Sequence, residues 1–320
     1  MSLSFRFKVR PEDFLVEELP GESFGGQGHY VLKIEKVGVS TLDVVSQISK
    51  VLGLGQKDVG YLGLKDAQAV AVQYMSVPRR RYSVEELRRL SGDGFRVLEV
   101  LSHSRKLRAG HLKGNRFRIT LRDVNSPALL EEGLLRLRRE GFPNFYDTQR
   151  FGTGGANLER GMRLLRGERL RAFPYQKRLY VSAVSAWFFN LYLTERMARG
   201  MYPGPVEGDL VLEGEYWVPL RFAEDPEGSV PTGPVLGYRM PLPDGKALEL
   251  ERELMEREGI DLDAFRPLGA KGSRRPIRVW PENLRWELSS DTAVLEFTLP
   301  AGSYATVMLG WIREFHRDPV

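Results

Sequence analysis

The sequence predicts an α+β fold divided between two domains. The chain has 320 residues, which suits two hydrophobic cores better than one. Segments that alternate apolar and polar residues, as strands do, are mixed irregularly with segments of helical periodicity. Over residues 201–280 prolines and glycines recur and the regular patterns shorten, which indicates that much of a second, β-rich domain lies there.

Strands are predicted where apolar residues recur at every second position. In NRFRITLRDV (115–124), Phe117, Ile119 and Leu121 face one way and the arginines face the other. The other predicted strands are HYVLKIEKVG (29–38), AVAVQYMSVP (69–78), FRVLEVLSHS (95–104) and AVLEFTLP (293–300).

Helices are predicted where apolar residues recur three or four positions apart beside capping residues. In TLDVVSQISKVLGL (41–54), Ser40 or Thr41 offers the N-cap. Its apolar face is predicted to hold Leu42, Val45, Ile48 and Leu52. The other predicted helices are SVEELRRL (83–90), SPALLEEGLLRLRREG (126–141), NLERGMRLLRG (157–167), SAVSAWFFNLYLTERMARG (182–200) and AGSYATVMLGWIREF (301–315).

The composition excludes several classes of chemistry. The chain has no cysteine, so disulfides, thiolate nucleophiles and cysteine zinc sites are ruled out. Its four histidines lack ligand-like spacing, so no metal is expected. No signal peptide or membrane span is recognisable, which favours a soluble, cytoplasmic protein. The net charge of +5 does not by itself establish nucleic-acid binding.

Motifs for nucleotide binding and hydrolysis are absent. GTGGAN (152–157) approaches a dinucleotide fingerprint but follows no strand, and the chain has neither a Walker A motif nor a G-x-S-x-G elbow. Aromatic residues do stand beside basic ones, as in NFYDTQRF (144–151). Such interleaving suits RNA with unpaired bases, but an arginine-rich solvated surface over an aromatic core explains it equally well.

Five segments in order resemble the TruD family of RNA pseudouridine synthases. They are KVRPEDFLVEE (8–18), GLKDAQAVAVQ (63–73), RKLRAGHLKGNRF (105–117), PNFYDTQRFG (143–152) and LPAGSYAT (299–306). The resemblance implies isomerisation of a uridine in tRNA, usually uridine 13 of the D-arm, to pseudouridine by base flipping, without cofactor or metal. It also implies a pseudouridine-synthase fold, with a mixed, largely antiparallel sheet and flanking helices.

The resemblance further implies two domains, of which one interrupts the other. Residues 1–165 and 285–320 would form the catalytic domain, and residues 166–284 an inserted α+β TRUD domain. The expected partner is tRNA, with no membrane, and a monomer is expected.

Asp66 matches the catalytic aspartate of the family. A carboxylate can attack C6 of the uracil, attack C1′ of the ribose or abstract a proton, and these roles stay open. In apolar surroundings it needs a cation to stay ionised, for which Lys65, Lys8 or an unidentified arginine is a candidate. A turn aspartate between strands is the structural alternative.

Six residues are expected to bind the target nucleotide by the same resemblance: Phe14, Asn144, Tyr146, Tyr304, Gln73 and Lys8. Tyr146 corresponds to the aromatic residue that stacks on the flipped uracil. Core packing is the alternative for the aromatic residues, and a turn position is the alternative for Asn144. Gln73 either binds uracil or faces outward from its strand. Asp147 stands where the family often has glycine.

Contacts with the RNA backbone are expected at Arg105, Lys106, Arg108, Lys113 and Arg150. Further candidates are Arg79, Arg80, Arg81, Arg88, Arg89, Arg274 and Arg275. Two other functions compete with the synthase. One is an RNA-binding or RNA-folding protein whose catalysis is secondary, and the other is an aspartate-dependent nucleoside hydrolase that would release free uracil.

Overall fold

The computed structural model describes residues 2–65, 67–79, 82–214 and 216–315, without the side chains of residues 216 and 217. The fold is α+β, as predicted, and the chain divides into two compact units. The first unit comprises Met1–Glu140, Trp280–Ala305 and Ile312–Val320, and the second comprises Gly141–Val279 and Thr306–Trp311. These boundaries do not coincide with the predicted insertion at residues 166–284, which stays a prediction.

Fifteen strands lie in the part of the chain that the structure describes. They are β1 (Phe14–Pro20), β2 (His29–Lys36), β3 (Gly60–Tyr61), β4 (Val70–Pro78), β5 (Ser91–Gly92), β6 (Phe95–His103), β7 (Leu112–Leu121), β8 (Phe142–Pro143), β9 (Leu210–Glu213), β10 (Tyr216–Pro219), β11 (Val230–Val235), β12 (Ser273–Pro276), β13 (Arg278–Val279), β14 (Glu282–Leu288) and β15 (Ala293–Pro300).

Seven α-helices lie in the same described residues. They are α1 (Thr41–Leu52), α2 (Val84–Arg88), α3 (Pro127–Glu140), α4 (Ala156–Leu165), α5 (Pro174–Ala198), α6 (Gly245–Arg257) and α7 (Ala305–Glu314). Short 3-10 helices span Pro11–Asp13, Gln56–Asp58, Thr148–Phe151, Thr153–Gly155, Leu220–Phe222 and Leu262–Phe265. No helix among the described residues is both long enough and apolar enough to cross a membrane.

The first unit is built on a nine-stranded sheet. Its order is β14-β15-β7-β1-β4-β2-β6-β5, and β3 pairs with β4. Among the described strands of this sheet, β1 and β4 run parallel and every other pair is antiparallel. The predicted mixed, largely antiparallel sheet is therefore confirmed. The pairing of β1 with β4 sets Leu15, Val16 and Glu17, which directly follow the PEDF segment, beside the strand that follows Asp66 in the sequence.

Apolar side chains cover this sheet where α1 lies on it. Val44 and Ile48 of α1 share a buried cluster with Ile34 of β2 and Met75 of β4. The side chain of Leu42 is exposed, so its predicted place on the buried face is wrong. Leu42 lies one residue, about 100°, around the helix from the buried Thr41, which puts it beyond the edge of the apolar stripe.

The second unit surrounds the long helix α5. Phe188, Phe189 and Tyr192 are fully buried along it, which confirms the prediction of a buried helix. A four-stranded sheet of order β10-β9-β11-β12 and the pair β13-β8 complete the strands described in this unit. Residues 201–280 contain the short strands β9 to β13, but they also contain α6, which the sequence analysis missed.

Candidate active site

Asp66, the predicted catalytic residue, lies outside the described residues, but the chain on both sides of it is described. Asp66 belongs to the segment between β3, which ends at Tyr61, and β4, which begins at Val70. The first unit also holds Lys8, Phe14, Gln73 and Tyr304, and the second unit holds Asn144 and Tyr146.

A buried ion pair fixes Lys65, the residue before Asp66. Lys65 Nζ lies 2.6 Å from Glu18 Oε1, and the two side chains are 9% and 0% exposed. The other carboxylate oxygen, Oε2, accepts a hydrogen bond from the Tyr74 N–H at 3.0 Å. Burial raises the pKa of Glu18, and the ammonium of Lys65 opposes that shift. Lys65 is thus engaged by a strand residue, a contact that sequence analysis missed.

Because Gly63 has no side chain, there is room beside it for the ion pair between Glu18 and Lys65. A Cβ atom at position 63 would lie 3.0 Å from both Glu18 Oε1 and Lys65 Nζ. That approach is closer than an ordinary van der Waals contact, so a larger residue would displace the charged ends of the two side chains by a few tenths of an ångström. The glycine of the G-x-K-D segment therefore has a packing reason.

The hydroxyl of Thr41, at the start of α1, binds the same loop to the sheet. Thr41 Oγ1 accepts a hydrogen bond from the Lys65 N–H at 2.9 Å and donates one to Gln73 Oε1 at 3.2 Å. Gln73 is fully buried, so the outward-facing alternative for this residue is wrong. Its Nε2 has no hydrogen-bond partner among the described residues. A buried amide donor of this kind is suited to a ligand, and the contact with uracil stays a prediction.

Lys8 and Phe14, both expected to bind the target nucleotide, lie in contact with each other. Lys8 Nζ lies 4.6 Å from the centroid of the Phe14 ring, at a distance typical of a cation–π contact. The Phe14 ring is buried and packs edge-on against Phe117, with 5.9 Å between the centroids. Phe14 therefore contributes to the core, and its contact with the nucleotide stays a prediction.

Asp13 of the PEDF segment binds an arginine. Its carboxylate is bidentate on Arg122, with Oδ1 at 2.6 Å from Nη2 and Oδ2 at 2.9 Å from Nε. These charge-assisted hydrogen bonds lower the pKa of Asp13. The aspartate of this segment is thus accounted for as an anchor of the residues that precede β1.

In the second unit, Asn144 is held by Arg275. Arg275 Nη2 donates to Asn144 Oδ1 at 2.6 Å and Nε donates to the Asn144 carbonyl at 3.1 Å. The amide Nδ2 of Asn144 donates to the Pro276 carbonyl at 3.0 Å. Both ends of the amide are engaged within the unit, which fixes its orientation. Its contact with the target nucleotide stays a prediction.

The ring of Tyr146 is half-buried and contacts the side chains of Arg275 and Phe189. The Arg275 Cζ atom lies 4.0 Å from its centroid, and Phe189 packs edge-on at 5.6 Å. The backbone of Tyr146 makes two hydrogen bonds to the side chain of Asn190, at 2.8 and 2.9 Å. Arg150 lies farther away, with Cζ at 6.0 Å. A ring held this firmly offers a stacking surface at little entropic cost.

Asp147, which stands where the family often has glycine, connects two segments of the second unit. The Thr306 hydroxyl donates to Asp147 Oδ2, and the Thr148 hydroxyl donates to Oδ1 at 3.0 Å. The departure from the family pattern therefore adds an anchor beside Tyr146. Tyr304, in the turn between β15 and α7, is half-buried.

The basic residues that are predicted to contact the RNA backbone differ in their partners within the protein. Arg105 pairs with Glu22 at 2.7 Å, which lowers the pKa of Glu22, and Lys106 donates to the Lys57 carbonyl. Arg108 and Lys113 are exposed, and their side chains make no ion pair within the described chain.

Arg274 and Arg275 are not phosphate contacts. The side chain of Arg274 is fully buried, with Nη2 2.7 Å from Glu251 Oε1. The guanidinium of Arg275 is also buried, and it contacts Asn144 and the ring of Tyr146. The prediction for these two residues is therefore wrong, because a buried guanidinium cannot reach a phosphate. Arg80 and Arg81 lie outside the described residues.

Comparison with known proteins identifies the family. The family model described as "tRNA pseudouridine synthase D (TruD)" matches residues 3–175 and 170–315. The chain belongs to the TruD family. A tRNA pseudouridine synthase D of Thermus thermophilus is 37% identical, covering 94% of this chain and 86% of the relative. A relative of the same name from Legionella pneumophila is 34% identical, covering 95% and 93%.

A solved structure shows the TruD fold in this chain. A Methanosarcina mazei protein, provisionally described as a tRNA pseudouridine synthase D (TruD), superposes with a TM-score of 0.70. The match covers 98% of this chain and 94% of the other, at 22% sequence identity. The expected pseudouridine-synthase fold and the resemblance to the TruD family are thereby confirmed.

Proposed function

We propose that this chain isomerises a uridine of tRNA to pseudouridine, that uridine 13 of the D-arm is the target, and that the reaction uses no cofactor or metal. Membership of the TruD family over nearly the whole chain is the observation that carries the proposal. The matched residues include the G-x-K-D segment, and the relatives from Thermus and Legionella are named tRNA pseudouridine synthase D.

The reaction rearranges bonds within one nucleotide. The bond from N1 to C1′ breaks, the uracil turns, and C5 bonds to C1′. C5 then loses its proton and N1 gains one, so nothing else is consumed or released. Asp66 is the group assigned to this exchange, and the assignment holds for attack at C6, for attack at C1′ and for proton abstraction.

We assign the counter-charge of Asp66 to Lys8. Of the two lysines considered, Lys65 is already bound to Glu18 in a dry environment at 2.6 Å. Lys8 lies in the same unit and contacts the face of Phe14. An aspartate that keeps its charge in apolar surroundings needs a cation nearby. Lys8 lies in one of the segments that resemble the family, and Glu18 pairs with Lys65 instead.

The target base must leave the stack before a carboxylate can reach it, so base flipping is part of the proposal. Tyr146 is assigned to stack on the flipped uracil, because its ring is half-buried and contacts the Arg275 guanidinium, while its backbone is bound to the side chain of Asn190. Gln73 offers a buried amide donor for a uracil carbonyl. Phe14, Tyr304 and Asn144 complete the proposed set. A cytoplasmic location and a monomeric state stay predictions.

The test uses a tRNA transcript that carries tritium at C5 of uridine. Pseudouridine formation releases that tritium into water, and chemical mapping of pseudouridine shows whether position 13 is modified. We expect release by the wild-type chain and a loss of at least about a thousandfold in rate for Asp66→Asn, because an amide neither attacks nor takes a proton.

Asp66→Asn should still bind the tRNA, which separates loss of chemistry from loss of folding. Tritium release by Asp66→Asn at the wild-type rate would remove Asp66 from its role. Free uracil among the products would identify a nucleoside hydrolase instead. Wild-type function of the variant in cells would favour an RNA-folding protein.

A further inference from the structure

Two aromatic rings lie open on the surface of the second unit. Phe173 and Tyr175 are 66% and 55% exposed. Their rings are stacked, with centroids 6.0 Å apart and planes 9° from parallel. Large aromatic side chains normally bury most of their area in a core, so two parallel exposed rings leave flat apolar faces available to a ligand.

The rings are held by the first turn of α5. Phe173 is the N-cap, and its N–H donates to Gln176 Oε1 at 2.9 Å. Pro174 occupies the first helical position, where its fixed φ suits the turn. Farther along α5, Tyr180, Val184 and Phe188 are buried, so the platform stands on a well-packed helix. The two rings therefore stand at the start of a helix that is packed farther along its length.

Basic residues flank the two rings in the sequence. The segment 166–178 carries five basic side chains that form no ion pair or hydrogen bond within the described chain: Arg166, Arg169, Arg171, Lys177 and Arg178. Its acidic residue, Glu168, is already paired with Arg163 at 2.7 Å. Many other surface arginines, such as Arg118, have a carboxylate partner. Arg178 follows Tyr175 by one helical turn and shares its face.

We propose that Phe173 and Tyr175 form a stacking platform for an unpaired nucleobase of RNA, with phosphates bound by the neighbouring cations. Every nucleobase has a flat π face that can stack on an exposed aromatic ring. Each flanking phosphate carries a negative charge that an unpaired basic side chain can bind. A protein partner would need a broader apolar patch than two rings. The identity of the RNA as tRNA rests on the proposed function.

The test is a binding measurement with purified full-length protein. Phe173→Ala/Tyr175→Ala should weaken binding of a tRNA transcript and of a single-stranded oligouridylate by about tenfold, the usual order for loss of a base stack. Binding of a fully paired RNA duplex should not change. Phe173→Trp should keep the affinity, and its fluorescence should be quenched when RNA binds, because the indole face then contacts a base.

The matched control is Phe222→Ala in the same unit. Phe222 is 68% exposed and has Arg221 Cζ 5.0 Å from its ring centroid, but it lacks a stacked aromatic partner among the described residues. This variant should bind all three RNAs like the wild type. Arg171→Gln/Arg178→Gln should reduce the salt dependence of binding, whereas the double alanine variant should leave that dependence unchanged.

Three results would overturn the proposal. The double alanine variant could bind tRNA and oligouridylate with wild-type affinity, Phe222→Ala could lose as much affinity as the double variant, or the double variant could lose as much affinity for duplex RNA as for single-stranded RNA. The tritium assay separates this proposal from the proposed function. If the double variant forms pseudouridine at the wild-type KM, the platform is refuted and the function stands. If the wild-type chain forms none but shows the expected binding pattern, the function fails and the platform stands.

Discussion

Glu18 illustrates how single residues support the proposed chemistry without taking part in it. Its carboxylate is buried, and burial disfavours the charged form. Two donors, the ammonium of Lys65 and the N–H of Tyr74, compensate for the lost water. This arrangement fixes Lys65, which directly precedes Asp66 in the sequence. We therefore propose that Glu18 is a positioning residue for Asp66.

Replacing Glu18 by Gln should lower both stability and turnover. The variant leaves the ammonium of Lys65 buried without a counter-charge, and breaking a buried pair costs about 3–5 kcal/mol. We expect a lower midpoint of denaturation in urea. In the tritium assay kcat should fall while KM changes little, because the RNA-binding surface is untouched and only the position of Asp66 is disturbed.

Glu17→Gln is the matched control. Glu17 is the neighbouring residue on β1 but points to the opposite face, where it pairs with Lys33 at 2.8 Å and is partly solvated. Its loss should cost less than about 1 kcal/mol and leave kcat unchanged. Equal effects of the two variants on kcat would show that the Glu18–Lys65 pair has no special relation to Asp66.

At the scale of elements, the first turn of helix α1 is hydrogen-bonded to the loop between β3 and β4, to which Asp66 belongs. Ser40 is the N-cap and accepts a hydrogen bond from the Asp43 N–H, whereas the next residue, Thr41, binds Lys65 and Gln73. The two adjacent hydroxyls thus have separate tasks. One stabilises the helix, and the other joins the helix to the loop and to β4.

The two hydroxyls should be separable by mutation. Thr41→Val keeps the shape but removes the acceptor of the Lys65 N–H, so it should cost about 1–3 kcal/mol and lower kcat in the tritium assay. Ser40→Ala removes the cap and should cost about 1 kcal/mol with kcat unchanged. A drop in kcat that merely follows the loss of stability in both variants would refute a role for Thr41 in holding the loop.

Six of the seven described α-helices and the strands β2, β4, β6, β7 and β15 are readable from the sequence, whereas β1 and the other described strands were not predicted. The alternation in β7 and the helical pattern that predicts α2 are local signals, and both elements are confirmed. Helix α6 was missed although Ala247, Leu250 and Leu254 have helical spacing, because proline- and glycine-rich segments flank it on both sides. The strand order is not a local property. Nothing in the sequence pattern sets β1 beside β4, and that pairing brings Glu18 to Tyr74.

The same limit applies to the candidate site. The segments that hold Asp66, Asn144 and Tyr146 were recognisable by their resemblance to a family. Their partners were not, because Glu18 is 47 residues from Lys65 and Arg275 is 131 residues from Asn144. A run of two arginines suggested phosphate binding, whereas the fold uses both as buried anchors. Charge pattern alone cannot distinguish a buried guanidinium from a solvated one.

At the scale of the whole molecule, the net charge of +5 is a poor guide to where RNA binds. At the solvent-accessible positions of the large sheet, basic residues are matched by acidic ones: Lys33 with Glu17, Arg96 with Glu35 and Arg118 with Glu296. Such pairs cancel much of the local potential. The basic side chains available for phosphates are those without acidic partners, which include Arg108 and Lys113.

This distribution predicts which charges set the salt dependence of tRNA binding. Each cation that releases a counterion from the RNA contributes about one unit to the slope of log Kd against log salt concentration. Arg108→Gln/Lys113→Gln should therefore lower that slope by about two, measured by filter binding across a range of KCl concentrations. Arg118→Gln removes an arginine of similar exposure that is paired with Glu296 at 3.0 Å, and its slope should equal that of the wild type. Equal reductions in both variants would mean that RNA contacts the charge-compensated sheet face, and an unchanged slope in the double variant would exclude Arg108 and Lys113 from the interface.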